Sequence, residues 1–442
     1  MNSITERDLQ LRLEQENLLR RIINSIHQTL DLQDILAATG AEVRSLLGTD
    51  RVMIYKFHAD GSGQVIAESI YNNRLPSLLG LNFPADDIPL HARKMFMKAR
   101  ARSVVNVDTR QIGQSLLRNM ITGEAASGDM TYRPVDPCHV EYLTAMGVKS
   151  SLVMPIFHQE QLWGLLASHH SEPRSVPESE IEAVQTVVDQ LSVAIAQHHI
   201  LTQAQATAQR EAVLDRITTL LHSMPTVELQ TALKEVVLAF SGSGGRLCFR
   251  HQAFSLHNDT VKSLSDCLDT SHLSVNLYTC GWQPIMPEVA KYQLMEQYNV
   301  WQERYKSGNS DVWAITDIYQ TPELRNLQIA FQPTKIRSMI MIPLRYRQHL
   351  LGYLSIFRNE IDTETLWAGQ FDPDQRQLYP RLSFEVWRES KKAQACEWTV
   401  EEVELAQALG KQFALFIQQY EIHQQLQAFN ANLFQNLFGY KQ

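Results

Sequence analysis

Apolar residues recur at spacings of three and four through Ile181, Val184, Val188, Leu191 and Ile195, in a segment from Pro177 to Ser223 with few helix breakers. That period predicts one long packed helix. Beyond His199 the stripe fades into TQAQATAQREA, which is polar but strongly helix-forming, so a rigid connector with a domain boundary near residue 210 is expected. Residues 4 to 30 are amphipathic through Leu11, Leu18, Ile22 and Ile26, and a second helix near 32 to 47 is ended by Gly48. Residues 50 to 69 read apolar, turn, apolar, a hairpin that turns at Ala59 to Gly63 and carries Tyr55 on its first strand. Two further apolar runs, SLVMPIF and LWGLLAS, form a second hairpin that ends in His169.

The second hairpin occurs twice. KSSLVMPIFHQEQLWGLLAS at 149 to 168 matches RSMIMIPLRYRQHLLGYLSI at 337 to 356, pairing Ser150 with Ser338, Pro155 with Pro343 and Gly164 with Gly352 at an offset of 188. Upstream, RIINSIH at 21 to 27 corresponds to RITTLLH at 216 to 222, an offset of 195. Downstream, Val176, expected to open the first closing helix, corresponds to Val400 at an offset of 224. The chain is therefore two copies of one α+β domain, each starting and ending in a helix around an antiparallel, hairpin-rich sheet.

The predicted organisation is an N-terminal helix over 1 to 22, a first domain over 23 to 200 and a connecting helix over 201 to 215. A second domain over 216 to 425 and a helix end over 426 to 442 complete it, with the closing helix expected from about 400 to 435. The two downstream offsets differ by 36 residues, an insertion carried only by the second copy at about 359 to 397. Its aromatics Trp367, Phe384 and Trp387 argue for an arm that docks on something.

Composition narrows the class. The formal charge is −8 and the basic residues are dispersed, which excludes a nucleic-acid footprint. Five cysteines, at 138, 248, 267, 280 and 396, show no paired spacing, which suits a reducing cytoplasm. No apolar run reaches the length of a membrane span and the N-terminus is too polar for a signal peptide, so a cytoplasmic location is expected.

Three stretches carry candidate chemistry. In DPCHVEYLTAMG, Asp136 is a good N-cap, Pro137 suits the first helical position and Gly147 is a stop. Cys138 and His139 then fall in the first turn, where the helix dipole favours a thiolate, and Tyr142 can share their face. An inert thiol, a Cys-His nucleophile and a metal site with His169 and His170 stay open on this ground, although no CxxC or HxxxH spacing and no protease signature accompanies them. In FPADDIP, Pro84 and Pro89 bracket Asp86 and Asp87, which reads as acid-base chemistry or as a solvated loop. The basic amphipathic helix that follows is expected to close with Arg100 and Arg102.

FPADDIP at 83 to 89, PCHVEYLTAMGV at 137 to 148 and LWGLLASHH at 162 to 170 resemble the bilin-binding GAF domain of phytochromes. LWAGQ, PRLSF and WRE resemble the tongue of the phytochrome PHY domain, itself GAF-related. No PAS domain precedes the first GAF region, so the likeness is to the knotless, two-GAF phytochromes of cyanobacteria. Asp86 stands where the family usually has Ser, and Ala368 where Gly is common. Without a knot, the N-terminal helix is expected to do some of the covering.

The resemblance implies a red/far-red photoreceptor rather than an enzyme, with phycocyanobilin, a linear tetrapyrrole, as cofactor. Cys138 would hold ring A by a thioether, and His139 and Asp87 would hold the central pyrrole water. Arg102 and Arg133 would pair with the propionates, and Tyr55, Phe83, Tyr142 and His169 would surround ring D. Arg381 would reach Asp87 from the tongue, with Ser383, Trp367 and Trp387 as further tongue contacts. Isomerisation at C15=C16 would be relayed by tongue and helices to a C-terminal output domain or signalling partner, with homodimer formation through the helices; no metal, nucleic acid or membrane is implied. The competing expectation is a GAF pair that holds a small ligand such as a cyclic nucleotide non-covalently, which would explain the repeat but not Cys138 or the arm.

Overall fold

A computed structural model describes residues 31–98, 101–114, 131–222, 228–250, 275–305, 311–347, 349–370 and 383–438, with isolated helical positions at 16, 20, 21 and 24. Most of the expected N-terminal helix over 1 to 22 lies outside these residues. The described residues form two compact units, one from 1–204 with 364–390, the other from 205–363 with 391–442. The fold is α+β, a mixed sheet with flanking helices in each unit.

In the first unit, α1 (Leu32–Leu47) starts where the Asp31 carboxylate accepts from the amides of Gln33 and Asp34, at 2.8 and 3.1 Å. It stops at Gly48, whose φ of +58° few other residues adopt. Next come β1 (Arg51–Phe57), β2 (Gly63–Ile70), β3 (Asn82–Phe83), α2 (Leu90–Lys98), β4 (Arg102–Asn106), β5 (Gln111–Gln114) and β6 (Thr131–Pro134). After α3 (Pro137–Ala145) the hairpin β7 (Ser150–His158) and β8 (Gln161–His170) leads into α4 (Glu178–His222).

Two sequence expectations need correction. Arg102 does not close a helix: α2 ends at Lys98 and Arg102 opens β4, because the run Ser103, Val104, Val105 favours a strand. The closing helix opens at Glu178, two residues after Val176, which packs on the core just ahead of it.

Strand β1 is central and buried on both faces. Val52 and Ile54 point to one side, where α1 and the stripe Ile181, Val184, Val188, Leu191 and Ile195 of α4 cover them. Met53 and Tyr55 point to the other, against α3 and the loop around Leu75, Leu78 and Leu81. At roughly 1.5–3 kcal/mol per large apolar side chain, this layering supplies most of what holds the unit together.

The second unit repeats the plan with α5 (Leu229–Ala239), β9 (Gly244–Arg250), β10 (Val275–Gly281), α6 (Asn299–Tyr305), β11 (Trp313–Ile315) and α7 (Gln328–Phe331). The hairpin β12 (Ile336–Tyr346) and β13 (His349–Asn359) follows, and α8 (Val400–Phe438) closes the unit. The two hairpins share their register residue for residue: Pro155 faces Leu165 as Pro343 faces Tyr353, and the bulge at Ile156/Phe157 recurs at Leu344/Arg345. Ser150 donates to the Glu172 carbonyl and Ser338 to that of Cys396, both at 2.9 Å. The two donors stand at the hairpin offset and the two acceptors at the offset beyond the insertion, so the bonds bracket where the 36 extra residues enter.

Strands β14 (Ile361–Ala368) and β15 (Val386–Gln394) come from the insertion. Residues 364–390 belong to the first unit, and among the described residues its sheet runs β15-β14-β3-β2-β1-β8-β7-β4-β5-β6. The arm therefore adds strands to the sheet of the copy that lacks it in sequence.

Candidate functional site

Helix α3 sets the centre of the site. The Asp136 carboxylate accepts from the Cys138 amide at 2.8 Å, which fixes the first turn and leaves the Cys138 thiol exposed. One residue on, His139 stacks on Tyr142 at 6.5 Å and 11°. Burial, and then the nearby charge of Arg102, push the His139 ring down to about 4 against the smaller opposing pull of Asp136, so it is neutral at pH 7.

The two adjacent acids separate. Asp86 is exposed, whereas Asp87, in the short 3-10 turn Ala85–Asp87, accepts from the Tyr142 hydroxyl at 3.3 Å. Arg93 braces this turn by donating to the carbonyls of Ile88, Ala85 and Gly61, at 2.7, 3.2 and 2.6 Å.

Opposite the helix, β4 and β5 present buried donors. Arg102 pairs in register with Gln114, and both Arg102 Nε and Gln114 Nε2 are buried without a hydrogen-bond partner among the described residues. Arg102 lies over the Phe96 ring at 4.9 Å, and its pKa is lowered by burial and by the charge of Arg133 on β6. Two guanidinium groups near each other, with buried N–H groups left open, call for a carboxylate or phosphate. The residues present thus fit a ligand bearing anionic groups.

The remaining wall is aromatic. Tyr55 meets Phe83 edge-on at 5.8 Å, and both are buried in the cluster that includes Met53, Val140, Leu143 and Ala167. His169, on the same face of β8 as Leu165 and Ala167, is bonded through Nδ1 to Arg51 at 2.9 Å. Its pKa is held well below the usual histidine value by burial, then by Arg51 and His139.

The arm closes this wall. Trp367 pairs with Asn82, and the Asn82 amide donates to the Leu366 carbonyl at 3.0 Å. Ala368 is fully buried in the same cluster, and Phe384 packs on Tyr142 at 4.9 Å and on Phe83 at 6.4 Å. The expected tongue residues have different places. Trp367 donates from its indole to Glu389 at 3.0 Å, Ser383 is exposed, and Trp387 is half-buried on β15. Arg381 lies outside the described residues.

The structure thus brings together Cys138, His139, Asp87, Tyr142, His169, Arg102, Tyr55 and Phe83 and adds Arg51, Gln114, Asn82 and Phe384. Sequence reasoning missed Arg51 because nothing local tells a buried arginine at a strand start from an exposed one, and missed Gln114 because nothing local marks an unpaired amide.

In the second unit the same strand face is occupied. Arg246 forms a buried ion pair with Glu296 at 2.7 Å, and the fully buried rings of Trp301, Tyr305, Phe331 and Phe357 fill the space alongside. Burial raises the Cys248 thiol to about 12, so it stays protonated.

Two family models match the chain, the GAF domain over residues 31–195 and the Phytochrome region over residues 316–421. A bacteriophytochrome of Xanthomonas campestris is 26% identical over 402 residues, 88% of this chain and 58% of its own length. The chain spans about half the length of the curated relatives it matches. A bacteriophytochrome structure from R. palustris shares the fold with a TM-score of 0.60 at 23% identity, over 91% of this chain and 75% of that one. A phycoerythrobilin-bound GAF domain from a cyanobacterial phytochrome is 67% identical over 43% of this chain and 99% of its own, with a TM-score of 0.41. Among the described residues no helix is long and apolar enough to cross a membrane. With GAF and Phytochrome-region matches in the order of its two units, the chain belongs to the phytochrome family.

Proposed function

We propose that the chain is the photosensory part of a red/far-red receptor of the knotless, two-GAF type, acting in the cytoplasm and not as an enzyme. Its cofactor on this reading is phycocyanobilin, tethered through Cys138. The observation that carries the reading is the pair of buried open donors, Arg102 Nε and Gln114 Nε2, beside the Arg133 charge and one helix start away from an exposed cysteine.

When bound, the tetrapyrrole supplies light-driven rotation about its C15=C16 bond. The Cys138 sulfur holds the tether, and Arg102, Arg133 and Gln114 take the propionate charges. Neutral His139, with the Asp87 backbone carbonyl, offers acceptors near the pyrrole nitrogens. Tyr55, Phe83, Tyr142 and His169 enclose the ring that turns. Tyr142, which would face that ring, holds both Asp87 and Phe384 of the arm, so a change in its contacts would reach both. The arm, α4 and α8 would pass that difference to an output domain or to a partner copy.

Expression with a bilin source should give a coloured protein that switches between red- and far-red-absorbing forms. Zinc-induced fluorescence should survive denaturation in the wild type and vanish in Cys138→Ala. A colourless wild type under those conditions would overturn the reading in favour of non-covalent small-ligand binding.

A further inference from the structure

Arg51 opens β1 with its side chain fully buried. Its guanidinium donates to the Pro76 carbonyl at 2.6 Å through one terminal nitrogen and lies 2.9 Å from His169 Nδ1 through the other. Glu68 stands 3.9 Å from its Nε and is itself held by Ser77 Oγ at 2.6 Å and by the Leu78 amide at 3.0 Å. A guanidinium has only donors. A nitrogen facing it at hydrogen-bond distance must therefore accept, so Nδ1 carries no proton.

We propose that Arg51 is a positioning residue for the pocket: by donating to Nδ1 of His169 it fixes the neutral ring with its proton on Nε2, leaving one donor toward the ligand. The assignment of a function to that donor rests on the bilin reading above. A rotating ring with a carbonyl oxygen needs a donor that does not change its own state, and a free histidine would supply three states instead of one.

The surroundings agree. His169 lies on the face of β8 that carries Leu165 and Ala167, so the nitrogen opposite Arg51 looks into the pocket cluster, and among the described residues Nε2 has no hydrogen-bond partner. A second proton on the ring would place its charge against Arg51 in a buried site. The charged and titratable groups near this ring are Arg51 from β1 and His139 from α3; Tyr142 acts on Arg51. Arg51 itself keeps its proton at neutral pH, since burial lowers its pKa only to about 10.

The test uses the full chain labelled at histidine nitrogen, with His169→Ala to identify the signal. NMR of the side chains should show His169 as the neutral Nε2–H form both without and with the bilin. Arg51→Lys, which keeps a donor and a charge, should retain that form. Arg51→Met should release it into a mixture of tautomers, with the ring's pKa raised relative to the wild type by loss of the Arg51 charge while burial still holds it down. In the bilin-loaded protein, the absorption band should be constant with pH in the wild type and in Arg51→Lys, and pH-dependent in Arg51→Met. An Nδ1–H or doubly protonated His169 in the wild type overturns the proposal, and so does an unchanged tautomer in Arg51→Met. Should Arg51→Met not fold, the wild-type signal and Arg51→Lys decide alone. A chain that takes up no bilin but shows the Nε2–H ring removes the photoreceptor reading and leaves the Arg51 assignment standing.

Discussion

Phe384 meets Tyr142 edge-on, with ring centroids 4.9 Å apart and planes at 83°. Tyr142 in turn donates to Asp87, so one ring of the arm and one acid of the pocket are held by the same side chain. Replacing Phe384 by Ala removes the aromatic contact with Tyr142 and Phe83, a loss of about 1–2 kcal/mol for a half-buried ring. Attachment at Cys138 should be unaffected, while hydrogen exchange over β14 and β15 accelerates and the far-red state reverts faster in the dark. Wild-type exchange in Phe384→Ala would show that the arm is held by its strand pairing alone.

Tyr142→Phe separates the two roles of that ring. The packing on Phe384 is kept, and the 3.3 Å bond to Asp87 is lost. A bond of that length contributes no more than about 1 kcal/mol, so denaturant midpoints should move little. On the proposed function, photoproduct yield should fall, because Tyr142 would no longer be tied to Asp87. Equal yield in the two proteins would remove the hydroxyl from the mechanism.

How much of this was legible beforehand differs by element. The long helix was visible because Ile181 to Ile195 keep one period, and the repeat because Pro155/Pro343 and Gly164/Gly352 hold one offset. Cys138, His139 and Tyr142 were legible as one helical face. That the arm reaches the Asp87 side of the first copy was implied by the resemblance alone; its strand pairing, Trp367 with Asn82, was not legible, since strand addition rests on backbone bonds that leave no residue signature. Arg102 was misplaced because a cation after a helix suits the helix end and the strand equally, and what decided was the Val104–Val105 pair.

The repeat gives a matched pair of glycine tests. A Cβ on Gly164 would fall on the Tyr55 carbonyl oxygen, and one on Gly352 on the carbonyl oxygen of Cys248, the equivalent strand neighbour. Gly164→Ala and Gly352→Ala should each cost about 1–3 kcal/mol by forcing the strands apart. Only Gly164→Ala should also shift the bilin spectrum, since Tyr55 lines the pocket. Denaturation followed by tryptophan fluorescence, together with absorption of the loaded chain, measures both effects.

Stability should fall in mild acid. His139 titrates at about 4 in the folded chain against about 6.5 unfolded, so between those values the unfolded chain binds more protons. A base with a lowered pKa stabilises the fold fully above the unfolded value and loses that contribution as pH falls toward the folded one. His169 acts with the same sign. The His139 term amounts to about 3 kcal/mol at most. Urea midpoints of the apoprotein should decline from about pH 6.5 to about pH 4 in the wild type, and less steeply in His139→Gln. Parallel slopes would mean that the acid response comes from the carboxylates instead.

The stalk of the arm is fastened by two buried side chains whose removal should be felt at α8. Ser338 Oγ donates to the Cys396 carbonyl at 2.9 Å and accepts from its amide at 3.1 Å, closing the chain on itself where the insertion returns. Arg358, the last residue but one of β13, donates to the carbonyls of Phe240 and Glu397, pairs with Glu402 of α8 and lies 4.0 Å over the Trp398 ring. One guanidinium thus ties the outgoing strand, the segment that follows the returning strand and the first turn of the closing helix. Ser338→Ala leaves a half-buried amide and carbonyl without partners, at about 1–3 kcal/mol, whereas Arg358→Met removes the cation-π contact and the ion pair together. Both should speed hydrogen exchange at Cys396 and in the first turn of α8, Arg358→Met more strongly, with the bilin spectrum unchanged. If Arg358→Met instead altered the spectrum while α8 stayed protected, the stalk would act on the pocket and not on the closing helix.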